Sequence, residues 1–156
     1  MKKFWKNNKG LIIGIGAVIL LVLFTILQDN SKEEKVIEID ESLLSAEMSD
    51  WLNSTREDKY VVTVIGMTTC PHCQNYKPVI TSVSDNENLN LYFFEADTIT
   101  NAEDNNALEN AYELENYEGS VPYTFVTKNG EFVCDTVGGM DEKGTNDFLR
   151  SCGVIE

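Results

Sequence analysis

The feature that most constrains the fold of this chain is an uncharged, β-branched run that leads directly into a pair of cysteines. Residues 60–66 read YVVTVIG, a composition typical of a strand buried on both faces. Cys70 and Cys73 follow at once, at the start of a helix that we predict over 70–84. This strand and helix belong to an alternation of strands and helices along the chain, from which we expect an α/β fold.

The two cysteines have the spacing of a redox dithiol. A sulfur at the start of a helix meets free backbone N–H groups and the positive end of the helix dipole, so we predict a stabilised thiolate at Cys70. Two intervening residues, Pro71 and His72, allow Cys73 to close a small ring and to release a partner bound to Cys70. We predict that the His72 imidazole favours the thiolate and makes the couple more oxidising. Half of a zinc site, or two buried core thiols, fits the same spacing.

An apolar run lies near the N-terminus. Residues 11–27 are seventeen residues without a charge, which predicts a short transmembrane anchor. Four lysines and no acid precede the run, so the positive-inside bias predicts a cytoplasmic tail over 1–10 and an extracytoplasmic C-terminal domain. A cleaved signal peptide has the same charge order, but no small-x-small cleavage pattern follows the run. A buried globular helix is disfavoured because the run is apolar on every side.

The charge is distributed unevenly along the chain. All 26 acidic residues but only eight of the 12 basic residues follow Gln28, which gives the predicted extracytoplasmic part a net charge of −18. Such a charge argues against nucleic acid as a partner and is typical of a soluble surface. All four cysteines lie in the same part of the chain, in a compartment that permits disulfides.

A polar linker over 28–35 leads into a domain that we predict over 36–156. Periodicity and turn signals predict these elements in order: an edge strand over 36–39, a helix over 41–53, a strand over 60–66, a helix over 70–84, a strand over 89–96, a helix that begins at a capping box of Thr100 and Glu103 and ends near Tyr117, strands over 121–127 and 131–137 joined at Asn129 and Gly130, and a helix over 141–152. This order predicts one mixed sheet with helices on both faces, and it places Cys70 at the carboxyl end of a central strand.

Several residues besides the dithiol resemble those of the thioredoxin superfamily, over about 36–152. They follow the cysteines in the family's order: Pro78 where thioredoxins kink the active-site helix, Val121 and Pro122 where the family has its cis-proline, a hairpin at 128–131, and a glycine at 138 or 139 before the last helix. The resemblance implies a thioredoxin-like fold with a central mixed sheet flanked by helices, here preceded by one N-terminal transmembrane helix.

Within that superfamily, the Cys-Pro-His-Cys tetrad and the valine before the proline are similar to those of the DsbA group of oxidases, although the large helical insertion of that group is absent. The resemblance implies an enzyme without a cofactor. It also implies these roles: Cys70 as nucleophile, Cys73 as resolving thiol, Pro71 and His72 as tuning residues, and Val121 and Pro122 as binding residues for an extended peptide. An ordinary trans proline at a strand start, and a passive surface histidine, are the alternatives for Pro122 and His72.

Two positions depart from the thioredoxin pattern. The family has a buried acid six residues before the first cysteine, where this chain has Val64, and a tryptophan just before the motif, where it has Thr68 and Thr69. Proton transfer from Cys73 must then use water, His72 or another acid. We therefore predict a slow resolving step.

Cys134 and Cys152 form a second pair in the sequence. They lie at comparable distances from the turn at Gly138, one along a strand and one along a helix, so we predict that a structural disulfide can join them. Two unpaired buried thiols are the alternative. A zinc site of all four cysteines is disfavoured, because seventeen residues separate the second pair and the only histidine lies inside the first motif, so we expect no metal.

The sequence thus predicts a single-pass membrane protein with an extracytoplasmic thiol-disulfide oxidoreductase domain. We expect it to form or exchange disulfides in exported cysteine-containing proteins or peptides and to trade electrons with a membrane or extracellular redox partner. Two alternatives stay open: a reductase fed by a membrane electron donor, and a redox-silent module that holds a partner at the membrane.

Overall fold

The computed structural model describes residues 39–110, 117 and 119–156. Within these residues the elements are, in order, α1 (Ala46–Thr55), β1 (Tyr60–Gly66), α2 (Pro71–Glu87), β2 (Asn90–Glu95), α3 (Ala102–Asn110), β3 (Tyr123–Lys128), β4 (Glu131–Val137) and α4 (Glu142–Ser151). Short 3-10 helices at Glu41–Leu43 and Ala96–Thr98 precede α1 and follow β2.

The four described strands form one mixed sheet in the order β2-β1-β3-β4. β1 pairs with β2 in parallel and with β3 in antiparallel orientation, and β3 pairs with β4 in antiparallel orientation. β1 is therefore central, and every residue of it after Tyr60 is buried. The predicted strand over 60–66, its bounds and its burial on both faces are confirmed.

Alternate residues of β1 point into two apolar clusters on opposite faces of the sheet. On one face, Ile65 packs in a cluster with Trp51 of α1 and Leu108 of α3. On the other face, Val64 lies in a cluster with Ile80 of α2 and Leu149 of α4. The prediction of a central mixed sheet flanked by helices is thus confirmed for the described residues.

The hairpin between β3 and β4 forms where the sequence predicts it. Asn129 and Gly130 have φ angles of 54° and 77°, the left-handed conformation that a tight two-residue hairpin turn requires. The turn is also tied to the end of α1, because the Gly130 N–H donates to the Thr55 carbonyl at 2.7 Å.

The helix predicted over 41–53 was wrong at its start. Glu41–Leu43 form a 3-10 helix, and the α-helix begins only at Ala46. The Oγ of Ser45 accepts the N–H of Met48 at 3.2 Å, so this serine acts as an N-cap and interrupts the apolar periodicity.

The capping box predicted at Thr100 was also misplaced. Asn101 caps α3, because its Oδ1 accepts the N–H of Glu103 at 3.0 Å. Asn101 and Thr100 are adjacent and both are residues that can cap a helix, so the sequence alone does not decide which of them does so. The predicted helix end near Tyr117 stays a prediction, because α3 is described only as far as Asn110 and residues 111–116 lie outside the described part; Tyr117 itself is not helical.

The predicted tail over 1–10, anchor over 11–27 and linker over 28–35 lie outside the described residues. The same holds for the predicted edge strand over 36–39 except Ile39, which belongs to no strand. In the part of the chain that the structure describes, no helix has the length and apolar character to cross a membrane. The anchor remains a prediction from the sequence.

Candidate active site

Cys70 is the N-cap of α2, directly after the loop that leaves β1. Its backbone is extended, with φ −88° and ψ 114°, and its Sγ accepts the backbone N–H of Cys73 at 3.2 Å. Pro71 occupies the first turn, where a residue without an N–H leaves no hydrogen bond unmade. The cysteine thus takes the place of the oxygen-bearing residues that usually cap helices, and its sulfur meets the positive end of the helix.

The two thiols of the motif are unbonded and differ in environment. Cys70 is half-buried, whereas Cys73 is only 2% exposed. A hydrogen bond from the Cys73 thiol holds the pKa of Cys70 below its usual value, and the backbone N–H groups of Cys73 and His72 act in the same direction. Burial raises the pKa of Cys73 to about 11, and its hydrogen bond to Cys70 adds to this effect. One thiol is therefore suited to ionise and the other to stay protonated.

The peptide bond between Val121 and Pro122 is cis and faces the dithiol. The Sγ of Cys70 lies 3.8 Å from the Val121 carbonyl oxygen, although 51 residues separate them along the chain. The Pro122 carbonyl is paired within the fold, because it accepts the N–H of Gly138 at 2.8 Å, whereas the Val121 carbonyl oxygen lies beside the sulfur of Cys70. The structure thus brings together the two pairs of residues that the sequence assigns to chemistry and to substrate binding.

The turn after β4 forms another wall of the site. A Cβ atom on Gly139 would lie 3.2 Å from the carbonyl oxygen of His72 and 3.3 Å from the Cβ of Tyr76. These distances are tighter than most Cβ contacts in proteins, so a larger residue at this position would press against the first turn of α2. The predicted glycine before the last helix therefore packs against the first turn of α2.

His72 has an exposed side chain beside the cysteines. Its contribution to the lowered pKa of Cys70 comes through its backbone N–H. Electrostatic tuning of the dithiol by the imidazole ring therefore stays a prediction.

Val64 occupies the position where thioredoxins have a buried acid, and it is fully buried. It lies in the apolar cluster under α2 and is opposite Thr124 in the β1–β3 pairing. Thr124 and Tyr76 place two hydroxyls among these residues, and the Thr124 Oγ1 donates to the Tyr76 hydroxyl at 3.4 Å. Neither group has the low pKa of a carboxylic acid, which is consistent with the predicted slow resolving step.

Sequence reasoning missed a carboxylate beside the motif. Asp97 accepts two hydrogen bonds from Thr68, one from the backbone N–H at 2.9 Å and one from the hydroxyl. On the other side of the loop, the Gln74 side-chain amide donates to the Thr68 carbonyl at 2.6 Å. The signal that could have identified Asp97 is its position just after the strand that pairs in parallel with β1.

Cys134 and Cys152 are joined by a disulfide, with their Cα atoms 5.9 Å apart. Cys134 pairs with Val126 in the β3–β4 ladder, and Cys152 is the C-cap of α4. The bond ties the end of the last helix to the edge strand of the described sheet. Because these sulfurs bond to each other, they cannot complete a zinc site with the first pair.

Solved structures of thioredoxins are similar to this chain. Thioredoxin from Aeropyrum pernix aligns with a TM-score of 0.59 at 17% identity, over 72% of this chain and 89% of that one. Thioredoxin O2 from Arabidopsis thaliana in the oxidized state has a TM-score of 0.50 at 21% identity and covers 68% and 86% of the two chains. Fasciola hepatica thioredoxin aligns with a TM-score of 0.51 at 14% identity, over 67% of this chain and 89% of that one.

The chain matches no model of a protein family and no curated protein. The structural likeness establishes the fold, a mixed α/β thioredoxin-like fold with a central sheet flanked by helices. What the cysteine pair does in this chain follows from the geometry of the site.

Proposed function

We propose that the protein is a thiol-disulfide oxidoreductase that works through Cys70 and Cys73. The observation that carries this proposal is the contrast between the two thiols on one helix end. The sulfur of Cys70 is half-exposed, caps α2 and faces the backbone of Val121, whereas Cys73 is buried and lies behind it. This is the arrangement that a nucleophile and a resolving thiol need.

In the oxidising direction, the reaction starts from a Cys70–Cys73 disulfide. A substrate thiolate attacks the sulfur of Cys70, and the sulfur of Cys73 leaves as a thiolate that takes up a proton. A second substrate thiolate then attacks the substrate sulfur of this mixed disulfide and releases Cys70 as a thiolate. The substrate loses two electrons and gains a disulfide, and the protein returns to the dithiol form. An external disulfide-bearing or membrane redox partner must then reoxidise the pair.

The oxidising direction is favoured because the reduced protein has a stabilised thiolate. The lowered pKa of Cys70 makes it a good leaving group and stabilises the dithiol form over the disulfide. The competing direction is a reductase fed by a membrane electron donor. Equilibration of the full chain with glutathione separates the two, since an oxidase has a potential well above the roughly −270 mV of thioredoxin.

The substrate in this proposal is an extended peptide segment with a cysteine. The cis bond before Pro122 leaves the Val121 backbone 3.8 Å from the reactive sulfur, where a peptide strand can pair with it. The setting is the outer side of a membrane, supported by the uncharged run over 11–27, the four lysines before it and the position of every cysteine after it. Exported cysteine-containing proteins or peptides are the matching substrate class.

Oxidation of a dithiol peptide and reduction of insulin by the full chain test the proposal. We expect turnover in at least one direction, and a fall to background in Cys70→Ser, which removes one sulfur and keeps a side chain of similar size. If the wild-type chain is inactive in both assays, the alternative of a redox-silent binding module replaces the enzyme.

A further inference from the structure

The loop between β1 and α2 is held from two sides just before the reactive cysteine. Its four residues run from Met67 to Cys70, and the Cys70 N–H donates to the Met67 carbonyl at 3.2 Å. Thr68, inside this turn, bonds to residues outside it. Its N–H and its hydroxyl donate to the carboxylate of Asp97, and its carbonyl accepts from the side-chain amide of Gln74. Three hydrogen bonds thus converge on one loop residue two positions before the N-cap.

The position of Asp97 follows from the pairing of the strands. β1 and β2 are parallel and in register at their ends, where Gly66 pairs with Glu95. Thr68 and Asp97 each lie two residues beyond these strand ends, so the segments that follow β1 and β2 leave the sheet side by side. The short carboxylate side chain of Asp97 therefore reaches the loop that follows β1.

Asp97 is itself held in a defined backbone conformation. It lies in the 3-10 helix Ala96–Thr98, and the Thr98 hydroxyl closes this turn by donating to the Glu95 carbonyl at 2.7 Å. The hydrogen bonds from Thr68 hold the pKa of Asp97 below its usual value, so the group is a carboxylate at neutral pH. The acceptor is thus both fixed and charged, which gives stronger hydrogen bonds than a neutral oxygen.

Gln74 connects the same loop residue to the helix. It lies one residue after Cys73, and its backbone N–H donates to the Cys70 carbonyl at 3.1 Å, which is the first hydrogen bond of the helix. Its side-chain amide then reaches back to the Thr68 carbonyl. The loop is consequently tied both to the sheet and to the first turn of α2.

We propose that Asp97 and Gln74 are positioning residues for the reactive thiol: through Thr68 they hold Cys70 at the N-cap of α2, where its sulfur accepts the Cys73 N–H. The inference deepens the proposed function and rests on it for the identity of the reacting group. It gives Thr68 a defined role, since this residue makes the contacts that fix the loop. Neither Asp97 nor Gln74 needs to contact the substrate.

Removal of Asp97 would shift the pKa of Cys70 in opposite directions, depending on whether Asp97 acts through its charge or by positioning the loop. If Asp97 acted only as a nearby anion, its removal would make the Cys70 thiolate easier to form. If it holds the loop, its removal frees Cys70 from the cap position and makes the thiolate harder to form. Gln74 is neutral, so any effect of its removal on the thiol cannot come from a lost charge.

The test is the pH dependence of iodoacetamide alkylation of Cys70 in the reduced full chain, resolved from other thiols by peptide mass spectrometry. We expect Asp97→Ala and Gln74→Ala to raise the midpoint pH and to slow alkylation at pH 7 about threefold or more. Asp97→Asn keeps an oxygen acceptor for the Thr68 N–H and should restore much of the wild-type midpoint. Asp85→Ala removes the same charge near the far end of α2 and should leave the midpoint unchanged.

A lower or unchanged midpoint in both Asp97→Ala and Gln74→Ala would overturn the positioning role. Gln74 and Asp97 are exposed, and circular dichroism checks that each variant is folded. If Asp97→Ala does not fold, Gln74→Ala alone decides. Alkylation needs no substrate or redox partner, so an inactive enzyme with the expected midpoints would refute the proposed function and leave the positioning role intact.

Discussion

Cys70 and Cys73 lie three residues apart at one end of a helix, yet their thiols have opposite tendencies to ionise. The difference comes from position, because the N-cap sulfur accepts hydrogen bonds that favour its thiolate, while burial opposes ionisation of the second. A substrate can reach the half-exposed sulfur more easily than the buried one. The proposed roles of Cys70 as nucleophile and Cys73 as resolving thiol rest on this asymmetry.

The first prediction concerns trapping of a substrate. In Cys73→Ser the mixed disulfide between Cys70 and a cysteine-containing peptide should accumulate, because no second thiol in the helix can release it. Non-reducing electrophoresis and mass spectrometry measure the adduct. The matched variant Cys70→Ser should form little adduct, since its remaining thiol is 2% exposed. Equal trapping by the two variants would refute the assigned roles.

The second prediction concerns the missing acid at Val64. Val64→Asp should shorten the lifetime of the mixed disulfide, because a carboxyl group in the apolar cluster can exchange a proton with Cys73. The same change should lower the free energy of unfolding by roughly 2–4 kcal/mol, since Val64 is fully buried. Val64→Asn is the control, with similar polarity and no titratable proton. Equal mixed-disulfide lifetimes in wild type and Val64→Asp would remove the idea of a slow resolving step.

At the level of elements, the disulfide between Cys134 and Cys152 fastens α4 to β4. Replacing both cysteines by alanine should lower the free energy of unfolding by about 3 kcal/mol, because the bond restricts the unfolded chain. Urea denaturation of the wild type and the double variant measures the difference. Alkylation of Cys70 should not change, since the active-site pair lies on another helix.

Thiol counting gives an independent check of this disulfide. After oxidation of the active-site pair, the denatured wild-type chain should contain no free thiol. Two free thiols would exclude the disulfide, and the predicted change in the free energy of unfolding would then have no physical basis.

Element bounds were predictable where local signals agree with the tertiary contacts. β1 and β4 have the predicted bounds because a β-branched run and a turn at Asn129 and Gly130 mark them clearly. The start of α1 was not predictable from periodicity, because two capping residues, Asp40 and Ser45, compete for the helix start.

For the molecule as a whole, the predicted anchor can be tested directly. The full chain should remain with membranes after alkaline carbonate extraction, because residues 11–27 form an uncharged run. The double variant Leu20→Arg and Leu21→Arg should be released, since two charges in the run oppose insertion. Asn30→Arg and Ser31→Arg add the same charge outside the run and should leave the chain in the membrane. Release of the wild type would contradict the anchor.

The site was only partly predictable from the sequence, for a physical reason. The dithiol and the Val121–Pro122 pair are visible because each is a short motif whose chemistry is local. The contribution of Asp97 depends on the parallel register of β1 and β2, which brings residues 29 positions apart into contact. A contact of this kind follows only once the strand pairing is known.

The most direct measurement is the alkylation rate of Cys70 in the reduced wild-type chain as a function of pH. We expect the midpoint of Cys70 to lie below about 8.5, the ordinary pKa of a cysteine thiol, and Cys73 to react only near pH 11. A single shared midpoint at the ordinary cysteine value would contradict a thiolate stabilised at the helix start and, with it, the assignment of Cys70 as the nucleophile.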